Sequence, residues 1–498
     1  MGGTAKKIYI ISYFSIISAF FYLFTFNSGY GYDALEYLVI GRSLLNGYPF
    51  YAFIPSKSWG IYYLVYFYLS LGNVANHYGI SLLITLIFVS TLLVTFFIVK
   101  RKYNYRVAFL SSFLVGICGV FMELNFLEPE GLVYILGMLA FYFISKSVDR
   151  QHNSKLFIGG LLLGFGVSFK AVAGFYWLAS AVFIFLWGYY KENEKTSGII
   201  KKELILLSGF IIAVMIPTFY FLSLGKYSEH LEWTYLFPLF KYPQRLEGFH
   251  KLSIKIMWFF VLFPVIMAFS CKKTLRRKIY SNPDSLFILF LGLISLFSMF
   301  KTLAPHYVYP GATFLSIFVS AVLNEEINNR GVLSRDRILG LSVLIILLLC
   351  VISGYLYRPK AIRRFISIND YSREADLKRL INKYAPANKK VLFLGDPEFL
   401  YWISGKYPNI PFVHFSVQFT YVLKNRPDLL LNALNDPDLY LVEFNPYALG
   451  IEDMKFFKER KNLETIESFF ENLRKHFVIS DKNIAPYIFW TKRDLLNN

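Results

Sequence analysis

Charged residues interrupt an apolar sequence at residues 31–60, just after the first long apolar segment. This stretch carries Asp33, Glu36, Arg42 and Lys57. In a chain that is mostly apolar, charges placed beside lipid indicate a functional site. A carboxylate can act as a general base toward a hydroxyl group, and a cation at headgroup depth can bind a phosphate. The stretch therefore predicts acid–base chemistry beside a phosphate at the membrane surface.

Further polar residues of the same kinds occur later in the chain. They are Glu128, Glu130, Lys170, Lys301, His306 and Tyr307. When the sides of the membrane are assigned from the Lys and Arg residues, all of them fall at the outer face. Such clustering is typical of a single site between membrane spans and outer loops. Carboxylates mixed with cations favour transfer of a group from a lipid phosphate, although transporters also carry charges within the membrane.

The region that holds Asp33 is predicted to be helical. Leu35, Leu38, Val39, Arg42 and Leu45 recur at helical spacing. Gly47 and Pro49 then end the run. The pattern indicates a helix that lies along the membrane surface and holds the Asp33 carboxylate at the boundary with water. Asp33 could also simply cap this helix, and Lys57 could extend to lipid headgroups without a specific role.

Composition identifies a multi-pass membrane protein. Of the 498 residues, 55% are hydrophobic and only 17% are charged, whereas about a quarter of a globular chain is charged. Several apolar runs reach the roughly 20 residues needed to cross a bilayer. The formal charge of +19 arises from Lys and Arg in short loops between spans, which argues against nucleic-acid binding. Cys118, Cys271 and Cys350 lack metal-ligand spacing and do not predict a disulfide framework.

Apolar length and the distribution of basic residues together predict eleven spans, with the amino end inside and the carboxyl end outside. The spans are 8–26, 79–99, 107–122, 131–145, two within 155–190, 204–224, 253–270, 285–300, 307–323 and 338–357. The pair within 155–190 is joined by an outer hairpin near Lys170. Residues 59–73 form an outer juxtamembrane or re-entrant helix, because a span there would place Lys100, Arg101 and Lys102 outside.

Two domains are predicted. Residues 1–357 form the transmembrane domain, with outer juxtamembrane helices within 27–78, and residues 358–498 form an outer soluble α/β domain large enough for its own core. The fold class is therefore mostly α, a polytopic helical membrane protein with a soluble α/β tail. Strands are predicted at 389–395 and 439–443, and helices at 373–384, around 451–460 and at 464–476.

Five short motifs follow one another in a recognisable order. They are Asp33-Ala34-Leu35-Glu36-Tyr37 with a later Gly47, Lys57 with Tyr62, Glu128-Pro129, Lys170 in a hairpin, and Lys301 with Pro305-His306-Tyr307. This order resembles the GT-C membrane glycosyltransferases, especially the bacterial relatives of protein O-mannosyltransferases and of the lipid A aminoarabinose transferase. The chain departs from the family where Ala34 replaces a second acid and where two prolines after Lys57 are missing. The resemblance covers about residues 8–325.

The resemblance implies an inverting transfer of a sugar from a polyprenyl-phosphate donor to an acceptor hydroxyl. Asp33 would be the base, and Glu128 would orient the acceptor or a cation. The donor phosphate would be bound by Lys57, Lys170, His306 and Lys301. The substrate would be lined by Glu36, Tyr37, Tyr307 and Glu130. The family requires no cofactor, although some members use a divalent cation, here magnesium or manganese, which Asp33 and Glu128 could hold.

The family also implies the setting of the reaction. The enzyme would be a multi-pass protein of the bacterial plasma membrane, with a periplasmic carboxyl-terminal domain and a lipid, glycan or protein acceptor. Two other classes stay open: a transporter or flippase of a lipid-linked saccharide, and a non-catalytic assembly protein. The transporter class predicts inverted repeats and broken helices at mid-membrane depth. The sequence shows no such repeat, and its acidic residues lie in outer loops instead of at the centres of spans, which favours the glycosyltransferase.

Overall fold

The protein is represented by a computed structural model. It describes residues 3–28, 32–50, 55, 57–72, 77–122, 124, 126–150, 152–190, 194–232, 234–236, 281–297, 305–330, 370–386, 389–394, 397–408, 427–443, 469, 471–479 and 488–493. These residues belong to two compact units.

The first unit is helical. It contains α1 (Gly3–Ser28), α4 (His77–Lys102), α5 (Tyr105–Phe121), α6 (Glu130–Arg150), α7 (Asn153–Val167), α8 (Ala173–Tyr190), α9 (Thr196–Ser223), α10 (Tyr227–Leu231), α11 (Pro283–Ser295) and α12 (Pro305–Arg330). Local sequence sets several of the helix starts. The Asn104 side chain accepts hydrogen bonds from two backbone amides of α5, and Asn282 does the same for α11. Such caps satisfy amides that have no partner within the helix.

Five helices in the described part are long and apolar enough to cross a membrane: residues Lys7–Thr25, Tyr78–Lys102, Ala173–Tyr190, Thr196–Ser223 and His306–Asn324. Shorter apolar helices occur at Tyr105–Val120, Asn153–Val167 and Pro283–Ser295. The polytopic helical fold class is therefore confirmed. The predicted spans 253–270 and 338–357 lie outside the described residues, so the total of eleven stays a prediction.

Glycines allow the hairpin of α7 and α8 to pack closely on its neighbours. A Cβ at Gly160 would lie 2.1 Å from the carbonyl oxygen of Leu206, and one at Gly164 would lie 2.3 Å from that of Phe210. Helices α7 and α9 thus approach at backbone distance, as small residues permit in membranes. The helix that leads into the turn carrying Lys170 is therefore packed closely against α9.

The second unit combines two helices near the amino end with a small sheet. It contains α2 (Tyr32–Leu45), α3 (Trp59–Ser70), α13 (Asp370–Tyr384), β1 (Lys390–Phe393), α14 (Pro397–Ser404), α15 (Pro427–Leu434), β2 (Leu439–Glu443), β3 (Phe477–Ile479) and β4 (Phe489–Lys492). The strand order is β1-β2-β4-β3. Strands β1 and β2 are parallel, and the other two pairs are antiparallel. The predicted α/β character of the tail is confirmed.

The predicted helix that begins at Asp33 is present as α2, and Gly47 beyond its end has φ +85°. Its apolar positions Leu35, Leu38 and Val39 are buried, because α2 packs against α3 and α14. Helices α2 and α3 thus belong to the same compact unit as the sheet, whereas the domain boundary predicted from the sequence places them in the transmembrane domain. Helix α3 has 12 residues, which is about 18 Å and too short to span a bilayer. The predicted helix around 451–460 lies outside the described residues.

Candidate active site

Asp33 and Lys57 form an ion pair in the second unit. Asp33 lies in the first turn of α2, and Lys57 lies two residues before α3. The Lys57 Nζ atom is 2.8 Å from Asp33 Oδ2, and the two side chains are 8% and 19% exposed. A carboxylate is stabilised at a helix amino terminus as well as by an adjacent ammonium group. The pair therefore places an ionised acid beside a cation at a partly accessible position.

A buried hydrogen-bond chain supports this pair. The Tyr62 hydroxyl donates to Glu36 Oε1 at 2.6 Å and accepts from the Lys57 backbone amide at 3.2 Å. Tyr37 meets the Tyr62 ring edge to face, with centroids 5.3 Å apart. Glu36 and Tyr37 are both fully buried. In this structure they orient the backbone at Lys57, and their contact with substrate stays a prediction.

A second polar cluster lies in the first unit, where α6, α12 and the turn between α7 and α8 meet. The Lys170 ammonium donates to Glu130 Oε1 and lies 3.7 Å from the centroid of the Tyr307 ring. His306 Nε2 is 4.0 Å from the same Glu130 oxygen. Oxygen or nitrogen atoms of Glu128, Glu130 and His306 lie within 4.8 Å of one another. Five of the sequence-predicted residues therefore come together: Glu128, Glu130, Lys170, His306 and Tyr307.

Local structure positions each of these side chains. Glu130 is the first residue of α6, directly after Pro129, and Pro305 starts α12 one residue before His306. Proline is favoured at helix starts because the first backbone amides of a helix have no partner within the helix, so the N–H that proline lacks is not missed. The Lys170 backbone amide donates to the Gly166 carbonyl at 3.1 Å, which closes the turn. A Cβ at Gly137 would lie 2.6 Å from the Tyr176 ring, so α6 and α8 are in close contact.

The two clusters differ in the chemistry they offer. The pair in the second unit supplies one carboxylate and one ammonium group, which suits proton removal beside an anion. The cluster in the first unit supplies two carboxylates, an ammonium group and an imidazole. Carboxylate oxygens and imidazole nitrogens are ligands for divalent cations.

The members of both clusters are predictable from the sequence, but their grouping is not. The structure groups Glu128 with Glu130 and His306, whereas the sequence predicts that Glu128 shares a cation with Asp33; that pairing stays a prediction. The sequence features that indicate these residues are the Glu128-Pro129-Glu130 run and the proline directly before His306. Lys301 lies outside the described residues.

Comparison with known proteins gives one family match and several similar folds. Residues 56–221 match the family model described as dolichyl-phosphate-mannose-protein mannosyltransferase. The fold is similar to ArnT from Cupriavidus metallidurans bound to undecaprenyl phosphate, with a TM-score of 0.59, 11% identity and coverage of 98% of both chains. Residues 56–221 are thus similar to this mannosyltransferase family, and the fold of the whole chain is similar to that of ArnT. The family match includes Lys57, Glu128, Glu130 and Lys170.

A second solved structure extends the likeness. The archaeal oligosaccharyltransferase AglB from Archaeoglobus fulgidus, in complex with an inhibitory peptide and a dolichol-phosphate, has a TM-score of 0.52 at 10% identity, with coverage of 98% of this chain and 75% of AglB. No curated protein sequence matches the chain. The predicted resemblance to GT-C membrane glycosyltransferases is thus confirmed at the level of the fold.

Proposed function

We propose that this enzyme transfers a sugar from a polyprenyl-phosphate donor to an acceptor hydroxyl, with inversion at the anomeric carbon. The observation that carries the proposal is the Asp33–Lys57 pair, with a carboxylate and an ammonium group 2.8 Å apart at the start of α2. ArnT from Cupriavidus metallidurans binds undecaprenyl phosphate, and AglB was solved with dolichol-phosphate. A lipid-linked donor is consistent with these relatives in fold.

The proposed step is a single displacement. Asp33 accepts the proton of the acceptor hydroxyl while the hydroxyl oxygen forms a bond to the anomeric carbon. The bond between that carbon and the phosphate oxygen breaks, and the polyprenyl phosphate leaves with the electron pair. Lys57 interacts with the negative charge that grows on this phosphate, which is a preorganised form of electrostatic stabilisation. One displacement from the opposite face inverts the configuration.

The second cluster contributes phosphate and cation binding in this proposal. Lys170 and His306, together with Lys301, bind the donor phosphate. Glu128, Glu130 and His306 have the donor set of a divalent-cation site, since two carboxylates and an imidazole lie within 4.8 Å. Bound there, magnesium or manganese would supply additional positive charge toward the phosphate.

Cation binding is tested without activity, by titrating Mn²⁺ into the purified protein and recording the free ion by electron paramagnetic resonance. Wild type should bind one ion more tightly than Glu128→Gln, because the substitution removes an anionic ligand. Glu229→Gln is the matched control, since Glu229 lies in α10 and pairs with Lys226. Equal binding by wild type and Glu128→Gln would contradict the cation site.

The setting is proposed from the distribution of charge. Lys100, Arg101 and Lys102 end α4, and the positive-inside rule places that end in the cytoplasm. The amino terminus is then cytoplasmic, and the carboxyl-terminal domain is periplasmic in a bacterial plasma membrane. Membrane-impermeant thiol labelling of a single cysteine introduced at Asp376 in intact cells should give a signal. Labelling only after cell lysis would contradict this orientation.

Catalysis is tested with the purified protein in vesicles that contain a polyprenyl-phosphate sugar labelled in the sugar, together with envelope lipids, glycans or proteins as acceptors. The proposal expects the label on an acceptor and an equal amount of free polyprenyl phosphate. Intact labelled lipid that only changes leaflet would contradict transfer and favour the transporter class instead.

A further inference from the structure

Arg42, near the end of α2, binds the end of another helix. Its Nη2 atom donates to the carbonyl oxygens of Tyr401 at 2.7 Å and Lys406 at 3.3 Å. Its Nη1 atom donates to the Trp402 carbonyl at 3.1 Å. All three acceptors belong to the last turn of α14 or to the residues just after it. One guanidinium group therefore donates hydrogen bonds to three backbone carbonyls that are distant from it in sequence.

These contacts form a carboxyl-terminal helix cap. The last carbonyls of a helix have no partner within the helix, and the negative end of its dipole favours a cation. Gly405, directly after α14, has φ +71°, which is typical of the residue that ends a helix. Arginine suits the position because its planar group presents several donors in a fixed arrangement.

Aromatic rings hold the guanidinium in place. Its central carbon lies 5.1 Å from the centroid of the Trp402 ring and 5.7 Å from that of Tyr407. Tyr48, which follows α2, stacks on Tyr407 with centroids 5.0 Å apart. Cation–π contacts of this kind add to the hydrogen bonds. The contact between α2 and α14 therefore has a defined geometry.

Both partners of this contact are themselves anchored. The Tyr401 hydroxyl donates to the Val391 carbonyl at 3.2 Å and accepts from the Phe393 amide at 3.3 Å, which ties α14 to β1. On the other side, a Cβ at Gly41 would lie 2.7 Å from Val65, so α2 packs tightly on α3. Helix α2 thus has the Asp33–Lys57 pair at its first turn and contacts α14, which is bonded to β1, at its last turn.

We propose that Arg42 is a positioning residue: by capping α14 it fixes α2 on the sheet and thereby aims Asp33 at the acceptor hydroxyl. This inference rests on the proposed role of Asp33 as the base. In this proposal Arg42 acts through α2, whereas Asp33 acts on the acceptor itself. The carboxyl-terminal domain then takes part in catalysis by holding the base.

The test compares Arg42→Met with wild type in the vesicle transfer assay. A misplacement of about 1 Å can reduce turnover by about 100-fold, so we expect kcat to fall by about 10- to 100-fold while KM for the donor stays within about twofold. Arg42→Lys should restore part of kcat, because an ammonium group can still bind one carbonyl. Arg379→Met is the matched control, since Arg379 is 80% exposed on α13, and it should leave kcat unchanged.

Amide hydrogen exchange distinguishes a role of Arg42 in positioning α2 from a role that only stabilises the end of α14. In Arg42→Met, amides of α2 between Asp33 and Leu45 should exchange faster, as well as those at the end of α14. Faster exchange confined to α14 with unchanged kcat would overturn the inference. If Arg42→Met does not fold, Arg42→Lys carries the test, and wild-type kcat in Arg42→Lys overturns it.

Asp33→Asn, measured in parallel, tells the two failures apart. If Asp33→Asn transfers normally, the proposed base is wrong and the inference falls with it. If Asp33→Asn is inactive while Arg42→Met keeps wild-type kcat, only the role of Arg42 is wrong.

Discussion

Replacing Lys170 with Met removes the cation from a buried ion pair. Glu130 is fully buried, and the Lys170 side chain is 8% exposed. Removing one partner of such a pair destabilises a protein by about 3–5 kcal/mol, because it leaves an uncompensated buried charge. The contact of Lys170 with the Tyr307 ring adds about 1–2 kcal/mol in a desolvated place. Lys170→Met should therefore be among the more destabilising single substitutions in the chain.

The double variant Glu130→Gln with Lys170→Met should recover much of this stability, since it removes both charges. Thermal unfolding in detergent should rank wild type above the double variant, and the double variant above Lys170→Met. Donor transfer should not recover, because the ammonium group proposed to bind the donor phosphate is missing from both variants. Stability and activity should thus separate in one set of proteins.

Lys202→Met is the matched control. Lys202 pairs with Glu194 at 2.6 Å and is 10% exposed, close to the exposure of Lys170. This control should lose stability but keep wild-type KM for the donor. A double variant no more stable than Lys170→Met would refute the ion pair as the source of stability. A double variant with wild-type transfer would refute phosphate binding by Lys170.

Two further predictions concern packing and pH. Gly41→Val should destabilise the protein by about 1–3 kcal/mol through overpacking against Val65 and should also reduce transfer. Gly174→Ala is the control, because a Cβ there meets nothing within 4 Å, and it should change neither stability nor transfer. Equal unfolding temperatures for the two variants would contradict the close packing of Gly41 on Val65. Burial lowers the pKa of His230 to about 4, so the unfolded chain binds a proton that the native chain does not between about pH 6.5 and pH 4. Unfolding temperature should fall as pH drops through that window, and less steeply in His230→Gln; identical pH profiles would contradict this account.

Local patterns in the sequence predicted the elements well, because helix and strand periodicity and helix-end signals involve only near neighbours. Helix α2 was predicted from Asp33 to Gly47 and runs from Tyr32 to Leu45. The hairpin turn at Lys170 and the strands at 390–393 and 439–443 were found in the same way.

Contacts between distant residues could not be predicted in this way. Lys170 and Glu130 are 40 positions apart, and Arg42 and Trp402 are 360 apart. The residues next to Arg42 in the sequence do not indicate whether its side chain caps another helix or extends to lipid headgroups. The apolar face of α2 predicted a helix lying on the membrane, and the structure buries that face against α3 and α14.

The central claim is that Asp33 removes the acceptor proton during transfer from a polyprenyl-phosphate sugar. The most direct measurement is the transfer rate of Asp33→Asn in vesicles, with Asp376→Asn, an exposed aspartate on α13, as the control. The account predicts that general-base loss lowers kcat of Asp33→Asn by about 100- to 10,000-fold, with donor binding and folding retained, and that the control behaves as wild type. Transfer by Asp33→Asn at the wild-type rate would contradict the account.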